Sequence, residues 1–349
     1  MISNHFIAET EPLLSALKQI NSLSQGPLVL FVLDKNDCMV GTLTDGDARR
    51  ALISGKDLQA SVSEVMHRNF NFLRKGINDG VEHIKAQKQL QMRLIPVLDE
   101  SNRVVDIINL AKYKTKLPID AVIMAGGKGE RLRPLTEKTP KPLLKVGDKS
   151  IIDYNVDTLI SCGVEHINVT VNYLKEQIEA HYQEPHLGVQ VNVIPEPKFL
   201  GTIASVLFVK KFYNDIVLLM NSDVFTSIDF EDFYLHFKTC GADMSAAAFP
   251  YDISVPYGVF DLDGRNINGV LEKPSYNHYI NAGIYLIKTH LLKELIPANT
   301  FFNATDFIEA LIAKGKKVVR YPITGYWLDI GSHQEYQKAQ ELVKHIQNV

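Results

Sequence analysis

The feature that most constrains this chain is an apolar strand that runs straight into glycines. Ala121-Val-Ile-Met-Ala125 is followed without a break by Gly126-Gly-Lys-Gly-Glu-Arg-Leu-Arg-Pro-Leu-Thr136 and then by Lys138-Thr-Pro-Lys-Pro142. A short apolar run closed by glycines reads as a buried strand delivering a tight loop. The pattern then keeps alternating. A helix is expected over 151–162, with Ser150 as its N-cap and Gly163 as its stop, and strands over 166–171, 189–194 and 216–220. Such alternation predicts an α/β fold, a Rossmann-like mixed but mostly parallel sheet with helices on both faces. Ligands in sheets of this kind lie beyond the carboxyl ends of the strands.

The chain of 349 residues is too long for one average domain. The basic stretch Lys112-Tyr-Lys-Thr-Lys-Leu-Pro118 reads as a linker, so the expected domains are 1–117 and 118–349. Within the first, one pattern occurs twice. Leu28-Val-Leu-Phe-Val-Leu33 leads into Asp34-Lys-Asn-Asp37, and Leu94-Ile-Pro-Val-Leu98 into Asp99-Glu-Ser-Asn102 and a further strand from Val104. The copies are 65 residues apart, too long a period for solenoid units, and imply two small α+β modules. A net charge of -3 disfavours nucleic-acid binding. Cys38, Cys162 and Cys240 are odd in number and form no CxxC pair, which disfavours disulfides and a zinc cluster and fits a reducing cytoplasm. Neither a signal peptide nor a membrane span is expected.

Gly126, Gly127 and Gly129 let the backbone approach phosphate closely, while Lys128, Arg131, Arg133 and Lys141 supply positive charge. A polyphosphate fits this combination. The dinucleotide fingerprint fails because its third glycine falls on Leu132, and no Gly-Lys-Ser/Thr completes a Walker loop. The whole string AGGKGERLRPLTEKTPKPLL resembles the signature of the sugar-1-phosphate nucleotidyltransferases, and the resemblance extends over about 119–335. It implies that the three glycines wrap a nucleoside triphosphate, that Arg131 grips the departing pyrophosphate and that Lys141 holds the reacting phosphates. Glu130 stands where the family often has Thr or Ser.

Asp223, after the strand at 216–220, and Asp329, in Tyr326-Trp-Leu-Asp-Ile-Gly331, read singly as turn or capping residues. The resemblance makes them the pair that holds Mg²⁺. Gly258, Glu272, Lys273 and Asn281, on expected strands and their loops, match the family's sugar-phosphate pocket, with Tyr285 and Trp327 left to packing. Glu196, Gly201 and Thr202 match the segment that reads the base. A carboxylate offers only acceptors, which suits the adjacent N1–H and N2 donors of guanine, with cytosine the nearest competitor. The plain alternative is an exposed Glu between prolines.

Residues 1–117 resemble a tandem CBS pair, in which Thr44 and Asp47 of the first copy match phosphate and ribose contacts of an adenine nucleotide. Asn109 and Lys112 replace them in the second copy, and dimerisation is an equal reading. The expected activity is Mg²⁺-dependent nucleotidyl transfer from GTP to a sugar 1-phosphate for surface glycan synthesis. Glucosamine 1-phosphate is favoured and mannose 1-phosphate is the runner-up. A homo-oligomer is also expected. A silent nucleotide-sugar sensor is the rival of a different class.

Overall fold

The computed structural model describes residues 2–23, 26–76, 80–111, 113 and 115–346. The chain divides into two units, Met1–Lys114 and Thr115–Val349. Lys112 and Lys114 of the expected linker lie outside the described residues. Thr115 is buried and the Leu117 amide donates to the Cys162 carbonyl (3.0 Å), so 115–117 belong to the second unit.

In the first unit, β1 (Phe6–Ala8), β2 (Val29–Leu33) and β3 (Met39–Thr44) form one three-stranded sheet. A second is built from β4 (Leu73–Arg74), β5 (Leu94–Leu98) and β6 (Val104–Asn109). Each has a parallel pair followed by an antiparallel one. The helices are α1 (Leu13–Ser22), α2 (Asp45–Ile53), α3 (Val62–Val65) and α4 (Val81–Gln89). The repeat is atomic in its turns. Asp34 Oδ1 accepts from the Asn36 and Cys38 amides, and Asp99 Oδ1 accepts from the Ser101 and Arg103 amides. The residue three places on, Asp37 or Asn102, takes φ = 61° in both. Asp and Asn are the residues that tolerate this left-handed backbone and mimic a turn with their own side chains. Phe31, Met39, Leu94 and Leu98 pack the two copies together.

The second unit runs β7 (Asp120–Ala125), β8 (Lys145–Val146), β9 (Lys149–Ser150), α5 (Ile151–Ser161), β10 (His166–Val171), α6 (Lys175–His181) and β11 (Val191–Pro195). It continues through β12 (Ile216–Asn221), β13 (Val224–Thr226), α7 (Phe230–Thr239), β14 (Met244–Ser254), β15 (Val259–Asp263), β16 (Asn266–Leu271) and β17 (Ser275–Lys288). It ends with α8 (Thr289–Leu295), α9 (Ala304–Ala313), β18 (Val318–Pro322), β19 (Trp327–Asp329) and α10 (His333–Ile346). The main sheet has the order β11-β10-β7-β12-β17-β14-β18. Only β17 runs against its neighbours. Val122, Val217 and Leu219 share a buried cluster with Leu291, Leu292, Phe307 and Leu311, so alternate residues of β7 and β12 face α8 and α9.

Two expectations shift. Residue 189 belongs not to a strand but to a tight turn, where His186 and Val189 exchange both backbone hydrogen bonds (2.9 Å each). Asp329 is the last residue of a short strand, not a turn residue, because β19 pairs antiparallel with β13.

Candidate active site

Parallel pairing puts the carboxyl ends of β11, β10, β7 and β12 along one edge, and the loops leaving those strands surround a cavity of about 640 Å³. Met124 stands opposite Asn221, so the glycine loop after β7 and Asn221-Ser222-Asp223 after β12 leave the sheet side by side. The Ser222 amide donates to the Met124 carbonyl (3.1 Å) and ties the two exits together. Next door, the Glu196 amide donates to the Val171 carbonyl (2.8 Å), and Asn172 Nδ2 donates to the Glu196 carbonyl (3.2 Å). Gly126 is required there, because a Cβ on it would come within 2.5 Å of Glu196 Oε1.

Asp223 and Asp329 come from distant segments and meet through one ladder. Val224 pairs with Asp329 across β13 and β19, and the Ile330 amide donates to the Asp223 carbonyl (3.1 Å). Lys141 arrives on a 3₁₀ turn that Pro140 and Pro142 stiffen. Its buried Nζ donates to Asp223 Oδ2 and stands 3.9 Å from Asp329 Oδ1. Burial raises the pKa of Asp329, the Asp223 carboxylate raises it further, and Lys141 and Arg131 work against both. Asp223 Oδ1 and Asp329 Oδ1 are buried without a hydrogen-bond partner. Arg131 lies over Gly331, where a Cβ would come 2.8 Å from its guanidinium.

Glu196 is 5% exposed, not the solvated Glu of the plain alternative. Burial pushes its carboxyl up to about 7, against one hydrogen bond from the Leu200 backbone, and Oε2 is left without a partner. Gly201 turns this loop at φ = 88°, and a Cβ there would meet the Phe302 carbonyl at 2.6 Å. Thr202 is partly spent on the scaffold, since its Oγ1 accepts from the Ala304 amide (2.9 Å) at the start of α9.

The cavity thus brings together Gly126, Gly127, Gly129, Arg131, Lys141, Glu196, Gly201, Thr202 and Asp223, with Asp329 ion-paired to Lys141. Its lining does not include Gly258, Glu272, Lys273 or Asn281, all of which are exposed. Gly258, Glu272 and Lys273 lie in loops flanking β15 and β16, and Lys273 has φ = 45°. A Cβ on Gly258 would come 3.2 Å from Glu272 Oε2. Asn281 Oδ1 accepts from the Gly283 amide (3.0 Å), and Gly283 abuts Asn221 on the cavity wall. Tyr285 is buried in the core, and Trp327 Nε1 donates to the Ala282 carbonyl (3.0 Å).

Sequence reasoning missed Asn172, Asn221, Ser222 and Ser205 on the lining. Asn172 and Asn221 sit at strand carboxyl ends, which was a usable signal. Ser205, bonded to Thr170 Oγ1 (3.0 Å), gave none. Among the described residues no group of three or more His, Cys, Asp or Glu could hold a metal ion by itself. No helix among them is long and apolar enough to cross a membrane.

Residues 120–345 match the family model described as "Nucleotidyl transferase". The chain belongs to this nucleotidyl transferase family. It is similar to the mannose-1-phosphate guanylyltransferase catalytic subunit beta of Danio rerio, 28% identical over 225 residues, 62% of each chain. It is also similar to the bifunctional protein GlmU of Methanococcus maripaludis, 34% identical over 223 residues, 61% of this chain and 51% of the relative. The chain therefore spans between 51% and 62% of the length of these relatives. HddC from Yersinia pseudotuberculosis, solved with GMP-PN, shares the fold at a TM-score of 0.52 and 24% identity over 64% of this chain and 99% of that one.

Proposed function

We propose that this nucleotidyl transferase joins the nucleotidyl group of GTP to a sugar 1-phosphate and releases pyrophosphate. The observation that carries the reading is one cavity lined by a glycine loop, a buried lysine, Asp223 and the buried Glu196, each of these carboxylates with an oxygen that accepts no hydrogen bond, and with Asp329 beside that lysine. The sugar phosphate oxygen attacks the α-phosphorus in line, the bond to the β-phosphate oxygen breaks, and pyrophosphate departs. No side-chain nucleophile is needed, since positioning and charge neutralisation supply the catalysis. The glycine loop offers amides to the triphosphate, Arg131 neutralises the pyrophosphate side, and Lys141 holds the reacting phosphates.

Asp223 and Asp329 are hard oxygen donors, and each keeps an oxygen that accepts no hydrogen bond, which fits Mg²⁺. The ion would neutralise phosphate charge. Glu196 supports guanine because its unpartnered oxygen needs donors, and guanine has two adjacent ones. For the sugar, Gly258, Glu272, Lys273 and Asn281 are the proposed contacts, with Glu272 accepting from hydroxyls and Lys273 neutralising the phosphate. Glucosamine 1-phosphate is favoured, because a CBS pair joined to this catalytic type resembles the glucosamine-1-phosphate guanylyltransferase of legionaminic acid synthesis. The similarity to the mannose-1-phosphate guanylyltransferase subunit of Danio rerio keeps mannose 1-phosphate as runner-up. The product would feed surface glycan synthesis in the cytoplasm.

For Met1–Lys114 the proposal is a tandem CBS pair. A cavity of about 450 Å³ lined by Leu28, Val29, Thr44, Met92, Arg93 and Leu94 supports an adenine nucleotide there. Incubating the chain with GTP, Mg²⁺ and each sugar 1-phosphate, followed by mass spectrometry, tests the reading. A GDP-sugar is expected; bound but unconverted nucleotide with every sugar would instead leave the silent sensor.

A further inference from the structure

Residues 130–140 join Gly129 to Lys141, and most of them are exposed. Within this segment the Leu132, Arg133, Leu135 and Glu137 amides each donate to the carbonyl three residues back. Turn bonds of such short range, exposed to water, leave a loop free to open. Yet the transfer needs the glycine amides and Lys141 held on the same phosphates, so the placement of this segment matters to the chemistry.

Thr136 is where the two ends meet. It is buried between exposed neighbours, and its Oγ1 donates to the Gly129 carbonyl (2.8 Å). A Cβ on Gly129 would come 3.0 Å from the Thr136 Cγ2 and 3.1 Å from the Lys141 Cβ. The Thr136 backbone is held in turn from the exit of β10. Tyr173 donates its one hydroxyl hydrogen to the Thr136 carbonyl (3.1 Å) and shares it with the Glu137 carbonyl (3.2 Å). Four residues on, Gln177 Nε2 of α6 donates to the Lys138 carbonyl (2.9 Å). The support behind these ties is anchored, because α6 buries Ile178 and both His181 Nε2 (2.9 Å) and the Tyr182 hydroxyl (2.8 Å) donate to the buried Asp153 of α5. Leu174, between Tyr173 and α6, takes φ = 47°, a backbone rare for Leu that persists where neighbours hold it.

On the transferase reading above, we infer that Tyr173 is a positioning residue for nucleotidyl transfer. Through Thr136 it fixes Gly129 and Lys141 relative to each other on the phosphate side. The preceding Asn172, which donates to the Glu196 carbonyl, belongs to the base side. Donors and charges set in advance act on the transition state more than on the bound substrate, so losing the tie lowers kcat and leaves KM little changed.

Tyr173→Phe removes the hydroxyl and keeps the ring. At a temperature where circular dichroism shows the full-length variant folded, its kcat for pyrophosphate release should fall at least about fivefold with every triphosphate that the wild type uses, with their ranking unchanged. Thr136→Val keeps the shape of Thr136 and removes its bond to Gly129. It should lower kcat to a similar extent, and the double variant should lose no more than either single one, because both act along one chain of contacts. A smaller loss of kcat overturns the inference, and so does a loss carried by KM alone. Losses that multiply in the double variant overturn it too, since separate structural defects give that result, and a changed triphosphate ranking would move Tyr173 to the base side. Should Tyr173→Phe misfold, Gln177→Ala, at an exposed side chain, carries the kcat test in its place. A wild type that releases no pyrophosphate contradicts the transferase reading, and the tie is then judged by hydrogen exchange. Amides over 129–141 should exchange faster in Tyr173→Phe than in the unaltered chain, and equal exchange there overturns the inference.

Discussion

Glu196 holds its proton near neutrality because it is buried and short of donors, and this gives two results of known sign. A carboxyl whose pKa is about 7 in the folded chain and ordinary, near 4.5, in the unfolded one keeps a proton that the unfolded chain has already lost. Stability therefore falls as pH rises from about 4.5 to about 7 and stays lower above, by up to about 3 kcal/mol. Glu196→Gln removes this cost, so its melting temperature should exceed that of the wild type near pH 8, and the gap should close near pH 5; calorimetry at both values checks it. On the proposed reading guanine's donors bind the ionised form, so KM for GTP should fall as pH rises through about 7, and a flat KM would remove Glu196 from base recognition. Asp223→Asn and Asp329→Asn should each lower pyrophosphate release by at least about 10²-fold with folding intact. Near-wild-type release at limiting Mg²⁺ would take that residue out of the metal role. The identity of these carboxylates was legible in the sequence. Their burial was not, because Glu196 is covered by segments that sequence spacing does not bring together.

At the scale of elements, α2 starts with a capping box. Thr44 Oγ1 accepts from the Asp47 amide (3.2 Å), while Asp47 Oδ2 accepts from the Thr44 amide (2.9 Å) and hydroxyl (2.6 Å). Asp47→Ala should therefore cost about 1 kcal/mol of stability as well as any ribose contact. Calorimetric titration with AMP and ATP, at a temperature where the variant stays folded, separates the two: binding that survives in the variant assigns Asp47 to the cap alone. The glycine loop, β10 and the two copies of the first unit were readable because strand and turn chemistry are local. The 14 residues of β17 and the three of β19 were not, since which strand a segment pairs with, and in which direction, is a non-local property. That pairing of β19 is also what delivers Asp329 to Lys141.

For the whole molecule, the fold of the second unit followed from alternating strands and helices, and the place of the cavity from the rule that loops at strand carboxyl ends hold ligands. The sugar side did not follow. The proposed contacts Gly258, Glu272, Lys273 and Asn281 are exposed and stand outside the cavity lining, and hydroxyl recognition depends on geometry that sequence does not specify. The central claim is transfer from GTP to a sugar 1-phosphate. Its most direct test is the initial rate of pyrophosphate release with GTP, CTP, UTP, dTTP and ATP, each given with glucosamine 1-phosphate or mannose 1-phosphate. Release should require both substrates, GTP should have the highest kcat/KM, and Glu196→Gln should cut that value by about tenfold or more while narrowing the gap to UTP and dTTP. Release from no pair, or release indifferent to the sugar phosphate, contradicts the transferase; another triphosphate in the lead contradicts the reading of Glu196.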